Sequence, residues 1–222
     1  MHCYWNGRWD EALETADQFL RDAAGGPGHY MEAACHWARA AIWSARGRRD
    51  DGLAAARLCT ERARAIGDPQ VLQPGLALGG RLLLDAGNRR QSEELADELL
   101  QSWRSIGLRY PLVCTEGARL FRGLGRAGDL LATLDQVRVP SLWHMAARHV
   151  AEGDLAAAAE TYAKIGTIPD EAYARLQAAA AFVAAGDRNA ADRELALASP
   201  VFVQLGATAW RAEASSLLAE SA

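Results

Sequence analysis

The sequence predicts an all-α protein, an α-solenoid of about six irregular helical hairpins forming a single domain over residues 1–222. Three observations predict it. Gly7, Gly47 and Gly87 stand forty residues apart, and such a period marks stacked units that cannot bury their apolar faces singly. Apolar residues recur at helical spacing, and no segment alternates as a strand would. Glycine and proline breaks then divide the chain at regular intervals.

Taken in order, the elements follow from those breaks. Behind the Gly7 turn, Trp9, Ala12, Leu13, Ala16, Phe19 and Leu20 form one buried stripe, with Glu11, Glu14, Asp17, Gln18 and Arg21 toward water. Gly25-Gly26-Pro27-Gly28 ends that helix. The Gly47 turn divides a second pair, which closes at Gly67-Asp68-Pro69, and Gly87 divides a third, closing between Gly107 and Pro111. Gly128 is read as the fourth turn and Val139-Pro140 as its boundary. Gly153 opens a helix striped by Leu155, Ala158, Ala159, Tyr162 and Ile165, which stops before Ile168-Pro169. Gly186 turns the sixth pair, Ser199-Pro200 marks a further boundary, and a last helix runs from Ala207 to about Leu218. Proline at these boundaries suits a helix start, and glycine a left-handed helix end.

Aligning the six turns sharpens the pattern. Five residues after each glycine stand Ala12, Gly52, Ser92, Thr133, Ala158 and Ala191, all small. Four residues before stand Cys3, Trp43, Leu83, Leu124, His149 and Phe182, mostly large and apolar. Small opposite large allows helices to approach to about 8–10 Å. The turn spacing runs 40, 40, 41, 25 and 33, so a short second helix is expected near 129–137, with an irregularity across 129–140. Met1 precedes Gly7 by only a few residues. The first hairpin is therefore expected to be truncated, as in a piece of a longer protein.

Composition narrows the function classes. Half of the residues are hydrophobic and 23% charged, a globular balance, and the net charge of −4 argues against a nucleic-acid-binding surface. Cys3, Cys35, Cys59 and Cys114 lack paired spacing and read as reduced thiols. No signal peptide precedes the first turn, and no apolar run nears the roughly 20 residues of a membrane helix. A cytoplasmic protein with no membrane partner is expected.

The hairpins resemble tetratricopeptide-like domains. A closer resemblance lies in Tyr4-Trp5-Asn6-Gly7-Arg8-Trp9-Asp10-Glu11-Ala12-Leu13, Gly28-His29-Tyr30-Met31-Glu32, Ala65-Ile66-Gly67-Asp68-Pro69-Gln70-Val71-Leu72 and Leu205-Gly206-Ala207-Thr208-Ala209-Trp210. These phrases are similar to the C-terminal helical-repeat region of large bacterial signalling ATPases, many of which carry a cyclase domain. Related arms occur in LuxR-type ATP-dependent transcription regulators. The resemblance implies a right-handed α-solenoid that acts as a regulatory or sensor arm, binding a protein, a peptide or other domains of a parent protein. The LuxR-type arm is the alternative, and an independent enzyme is a third.

Catalytic motifs do not compete with that reading. Lys164, the sole lysine, lies in no Gly-x-x-x-x-Gly-Lys-Ser/Thr loop, so the ATPase activity of such proteins has no counterpart residue here. His144 and His149 stand about 140° apart around a helix and cannot share a metal. Neither paired CxxC, HExxH nor Gly-x-Ser-x-Gly occurs. No enzyme, cofactor or metal is expected.

In tetratricopeptide-like folds the first helix of each hairpin lines the groove. That register places Trp37 and Trp143 at one equivalent groove position, Arg81 and Arg122 at another, and Tyr173 on the same surface. The competing reading buries the tryptophans between repeats. Arg8, Arg46, Arg48, Arg49, Arg89, Arg90, Arg126 and Arg188 gather at hairpin tips, as solvated caps or as an edge for an acidic partner or nucleic acid.

Overall fold

The computed structural model describes residues 1–26, 29–108 and 110–219. Among the described residues the chain is helical, with no strand. The short α1 (His2–Trp5) turns into α2 (Trp9–Ala23), then α3 (Met31–Ala45) pairs with α4 (Arg49–Ile66), and α5 (Pro69–Asp85) with α6 (Arg89–Ile106). Next come α7 (Pro111–Gly123) with α8 (Ala127–Leu134), α9 (Leu142–Glu152) with α10 (Leu155–Ile165), α11 (Ile168–Ala184) with α12 (Arg188–Leu205), and α13 (Thr208–Ala219). Each helix packs on its neighbours in sequence, and α3, α5, α7 and α9 also pack one on the next. Pro27, Gly28 and Arg109, which belong to two of the expected breaks, lie outside the described residues.

Local chemistry sets the ends. Asp68 accepts from the Gln70 amide at 2.8 Å, with Pro69 pre-shaped for the first turn of α5. Asp154 and Asp187 cap α10 and α12 in the same way, accepting from Ala157 and Ala190 at 3.1 and 3.0 Å. At α9 the His144 ring accepts the Ser141 amide through Nδ1 at 2.9 Å, which gives that histidine a capping role.

The turns correct the fourth member of the glycine series. In four other turns the amide just after the glycine donates back to the residue four before it: Arg8 to Cys3, Arg48 to Trp43, Asn88 to Leu83 and Asp187 to Phe182, all at 2.8–2.9 Å. This bond needs a left-handed residue at the glycine. The matching bond in the fourth turn runs from Arg126 to the Phe121 carbonyl at 2.7 Å, around Gly125 with φ of 76°. Gly128 lies inside α8 instead. The aligned positions are therefore Phe121 and Leu130, both fully buried, rather than Leu124 and Thr133. Elsewhere the small position is enforced: a Cβ on Gly52 would lie 2.2 Å from the Ser44 hydroxyl.

Proline supplies a second correction. Pro69, Pro111 and Pro169 open helices as expected, but Pro200 lies within α12, which runs on to Leu205. Phe202 and Leu205 are fully buried beyond it, and that burial outweighs the backbone bond the ring removes.

The apolar core decides the shape. One part joins α5 through α10 with α11, around Leu99, Trp103, Phe121, Leu130 and Tyr162. The other joins the first helices to the last, packing Tyr4, Trp9, Trp37 and Ile42 with Leu176, Phe202 and Leu205. The two ends of the chain thus share one core. Trp9 meets Trp210 edge to face at 5.5 Å, and α13 packs on α3. Arg46 Nε donates to the Leu205 carbonyl at 3.1 Å, while the Thr208 hydroxyl donates to the Arg46 carbonyl at 2.7 Å.

Candidate functional site

A cavity of about 360 Å³, open to solvent, lies between α3, α4, α5, α7, α11 and α13. Helical spacing sets out the polar groups in it and behind it. Arg81 and Asp85 are four apart on α5, Glu116, Arg119 and Arg122 succeed one another at threes on α7, and Asp170, Tyr173 and Gln177 follow on α11. Trp210 and Glu213 complete the wall from α13, and Arg49 stands at the rim. A smaller cavity of about 170 Å³ shares Arg81, Asp85, Arg119 and Tyr173 and adds Arg122, Tyr162 and Gln177.

A buried ionic chain leads away from Arg81 and Arg119, which line the cavity, to Glu116 and Asp170, which do not. Arg81 donates through Nε to Glu116 and through Nη1 to Asp85, the latter at 2.7 Å. Arg119 donates to the other Glu116 oxygen at 2.9 Å and to Asp170 at 3.2 Å. The second Asp170 oxygen accepts from the Thr167 hydroxyl at 2.6 Å. The Arg119 guanidinium also lies 4.4 Å from the centre of the Tyr173 ring. Glu116 and Asp170 are only 2% and 3% exposed, so these charges persist through their partners.

The protonation balance differs from group to group. Burial pushes the Glu116 carboxyl up, but Arg81 and Arg119 and their hydrogen bonds hold it below the usual glutamate range. Burial wins at Asp170, where Arg119 and Thr167 offset it only in part and Glu116 adds repulsion. Burial lifts the Tyr173 phenol to about 12, against the opposing pull of Arg81 and Arg119. Glu213 is raised by burial first; its hydrogen bond from Gln177, 3.0 Å long, lowers it and the Asp85 charge raises it again.

Of the groove residues expected from sequence, Arg81 and Tyr173 come together in the main cavity and Arg122 joins them in the smaller one. Arg122 donates to the Val150 carbonyl at 3.3 Å. The tryptophans lie elsewhere, against α1. Trp37 is 5% exposed and meets the Tyr4 ring edge-on at 5.1 Å, while half-buried Trp143 packs on Trp5 at 5.5 Å. Among the tip arginines, Arg8 pairs with Glu11, Arg46 with Asp10, Arg48 with Asp51, Arg89 with Glu93, Arg90 with Glu94, Arg126 with Asp97 and Asp129, and Arg188 with Asp192.

Sequence reasoning missed Asp85, Glu116, Arg119, Asp170, Trp210 and Glu213. One signal was present for two of them: Glu116 and Arg119 are the only charges in the mostly apolar run from Val113 to Phe121. Charges on a buried face require partners, so the pair pointed to an internal ionic site.

The guanidiniums and buried carboxylates of the ionic chain neutralise one another, and burial pushes the Cys59 and Cys114 thiols up to about 12, far from reactive thiolates. No protein-family model matches the chain, and neither does any curated protein or solved structure.

Proposed function

We propose that the chain is a non-catalytic binding scaffold, in which tetratricopeptide-like hairpins wind as a right-handed α-solenoid until the ends meet. Its role in this reading is that of a cytoplasmic regulatory or sensor arm of a bacterial signalling ATPase or cyclase. The partner is a protein, a peptide or another domain of the parent molecule, which presents a side chain or chain end to the central cavity. One observation carries the proposal: the cavity is walled by α3 to α5 and α7 together with α11 and α13, so an occupant touches both ends of the chain. Occupancy would therefore be felt by the closure contacts around Trp9, Arg46 and Trp210, which is what a sensor arm requires.

Panning a random peptide library on the chain tests this. Selected peptides should lose about tenfold or more in affinity for a Tyr173→Ala variant whose circular dichroism is unchanged. Peptides that bind wild type and variant alike would place recognition outside the cavity. Fused to a parent ATPase, the arm should alter ATP hydrolysis when such a peptide is added, and Tyr173→Ala should abolish the response.

A further inference from the structure

We propose that the smaller cavity takes a carboxylate on a short aliphatic stem, received by the Tyr162 hydroxyl and the Arg122 guanidinium; this rests on the reading of the chain as a binding scaffold. Two donors short of acceptors point there. Tyr162 is 1% exposed and lines the cavity, yet its hydroxyl makes no hydrogen bond. The Thr115 hydroxyl beside it is buried and makes none either. A buried hydroxyl without a partner is costly, and such groups are uncommon in folded proteins. Burial raises the phenol well above the ordinary tyrosine value, with Arg119 opposing, so the group stays protonated and can donate. Trp143 braces its ring from the side, edge to face at 6.3 Å.

Arg122 is the second donor. Three guanidiniums line this cavity, those of Arg81, Arg119 and Arg122, against one carboxylate, Asp85. Arg81 holds Asp85 and Glu116, and Arg119 holds Glu116 and Asp170, so these two cations are already matched. Arg122 has no carboxylate partner among the described residues, and the hydrogen bond it makes goes to the Val150 carbonyl at 3.3 Å. An incoming carboxylate accepts from a neutral hydroxyl and a guanidinium together, and no existing ion pair has to break. A cation would meet three guanidiniums instead. A neutral amide would leave the Arg122 charge unanswered.

The remaining walls suit an aliphatic stem. Leu84, Val150, Leu155 and Ala174 offer apolar contact for methylenes, and about 170 Å³ holds a small group rather than a folded segment. The same group could come from a glutamate side chain of a partner or from a free short-chain acid.

Calorimetric titration of the full chain separates these sources and tests the class. The probes are butyrate, butyramide, a short end-blocked peptide with one central glutamate, and its glutamine counterpart. Saturable binding of butyrate alone identifies a free acid; binding of the glutamate peptide identifies a side chain. In either case the affinity should fall about tenfold or more in both Tyr162→Phe and Arg122→Gln. Arg122 is exposed and pairs with no acid among the described residues, so Arg122→Gln should keep its melting temperature. Tyr162→Phe removes only an unbonded hydroxyl and should melt no lower than wild type. A lower melting temperature would mean that the hydroxyl is bonded within the fold, which overturns the proposal. It is equally overturned if neither carboxylate binds, if butyramide or the glutamine peptide binds as well, or if binding survives both variants. Library peptides that depend on Tyr173 yet contain no acidic residue and ignore Tyr162→Phe would overturn the carboxylate assignment while leaving the cavities as the binding site.

Discussion

Glu116 is the residue on which the interior depends. It accepts from Arg81 and Arg119 at once, and each guanidinium is largely buried. Replacement by glutamine keeps the shape but removes the charge that both arginines share. Breaking a buried pair costs about 3–5 kcal/mol because the surviving charge is left without compensation. Urea denaturation of Glu116→Gln should show a loss of that order at pH 7. The sign of the pH dependence is fixed by the lowered carboxyl. Its contribution is complete above the ordinary glutamate value of 4.5 and disappears as pH falls through the lower folded-state value. The gap between wild type and variant should therefore close in acid. Asp170 acts in reverse, since burial raises its folded-state value above the ordinary aspartate value of 3.8. Its contribution is present at low pH and lost as pH rises through that value.

At the scale of elements, the fourth turn separates two glycines that sequence spacing confuses. Gly125 holds φ of 76°, whereas Gly128 lies in α8 with open space where a Cβ would point. Gly125→Ala forces an L side chain into the left-handed region and should cost roughly 1–2 kcal/mol. Gly128→Ala should instead stabilise by about 0.5–1 kcal/mol, because alanine loses less freedom in a helix. Denaturation midpoints that move in opposite directions check both. The turns at Gly7, Gly47, Gly87 and Gly186 were legible because helix closure is local chemistry. Gly128 misled because it stands only three residues past Gly125 in an equally helical context, and the deciding Arg126–Phe121 bond leaves no mark on composition. Pro200 misled for a different reason. Its ring reads as a helix stop, but the burial of Phe202 and Leu205 depends on partners far away in sequence.

For the whole molecule, the question is whether the ends act as neighbours. In an open array of repeats each unit contacts only the next, so damage at one end stays there. Here Trp210 of α13 packs on Trp9 and Phe202, and Arg46 reaches the Leu205 carbonyl. No sequence period could announce this, because the contacts join residues far apart in the chain; for the same reason Trp210 and Glu213 could not be read from sequence as neighbours of Arg81 and Tyr173. Trp210→Ala removes a half-buried indole and should cost roughly 3 kcal/mol, the low end for such truncations. The location of the damage is the sharper readout. Native-state hydrogen exchange should lose protection in α2 and α3 together with α12, although α3 lies more than 160 residues before the substitution. Loss confined to α11 through α13 would mean that the ends move independently. A cavity walled by both ends could not then relay its occupancy, and the sensor role would fail with it.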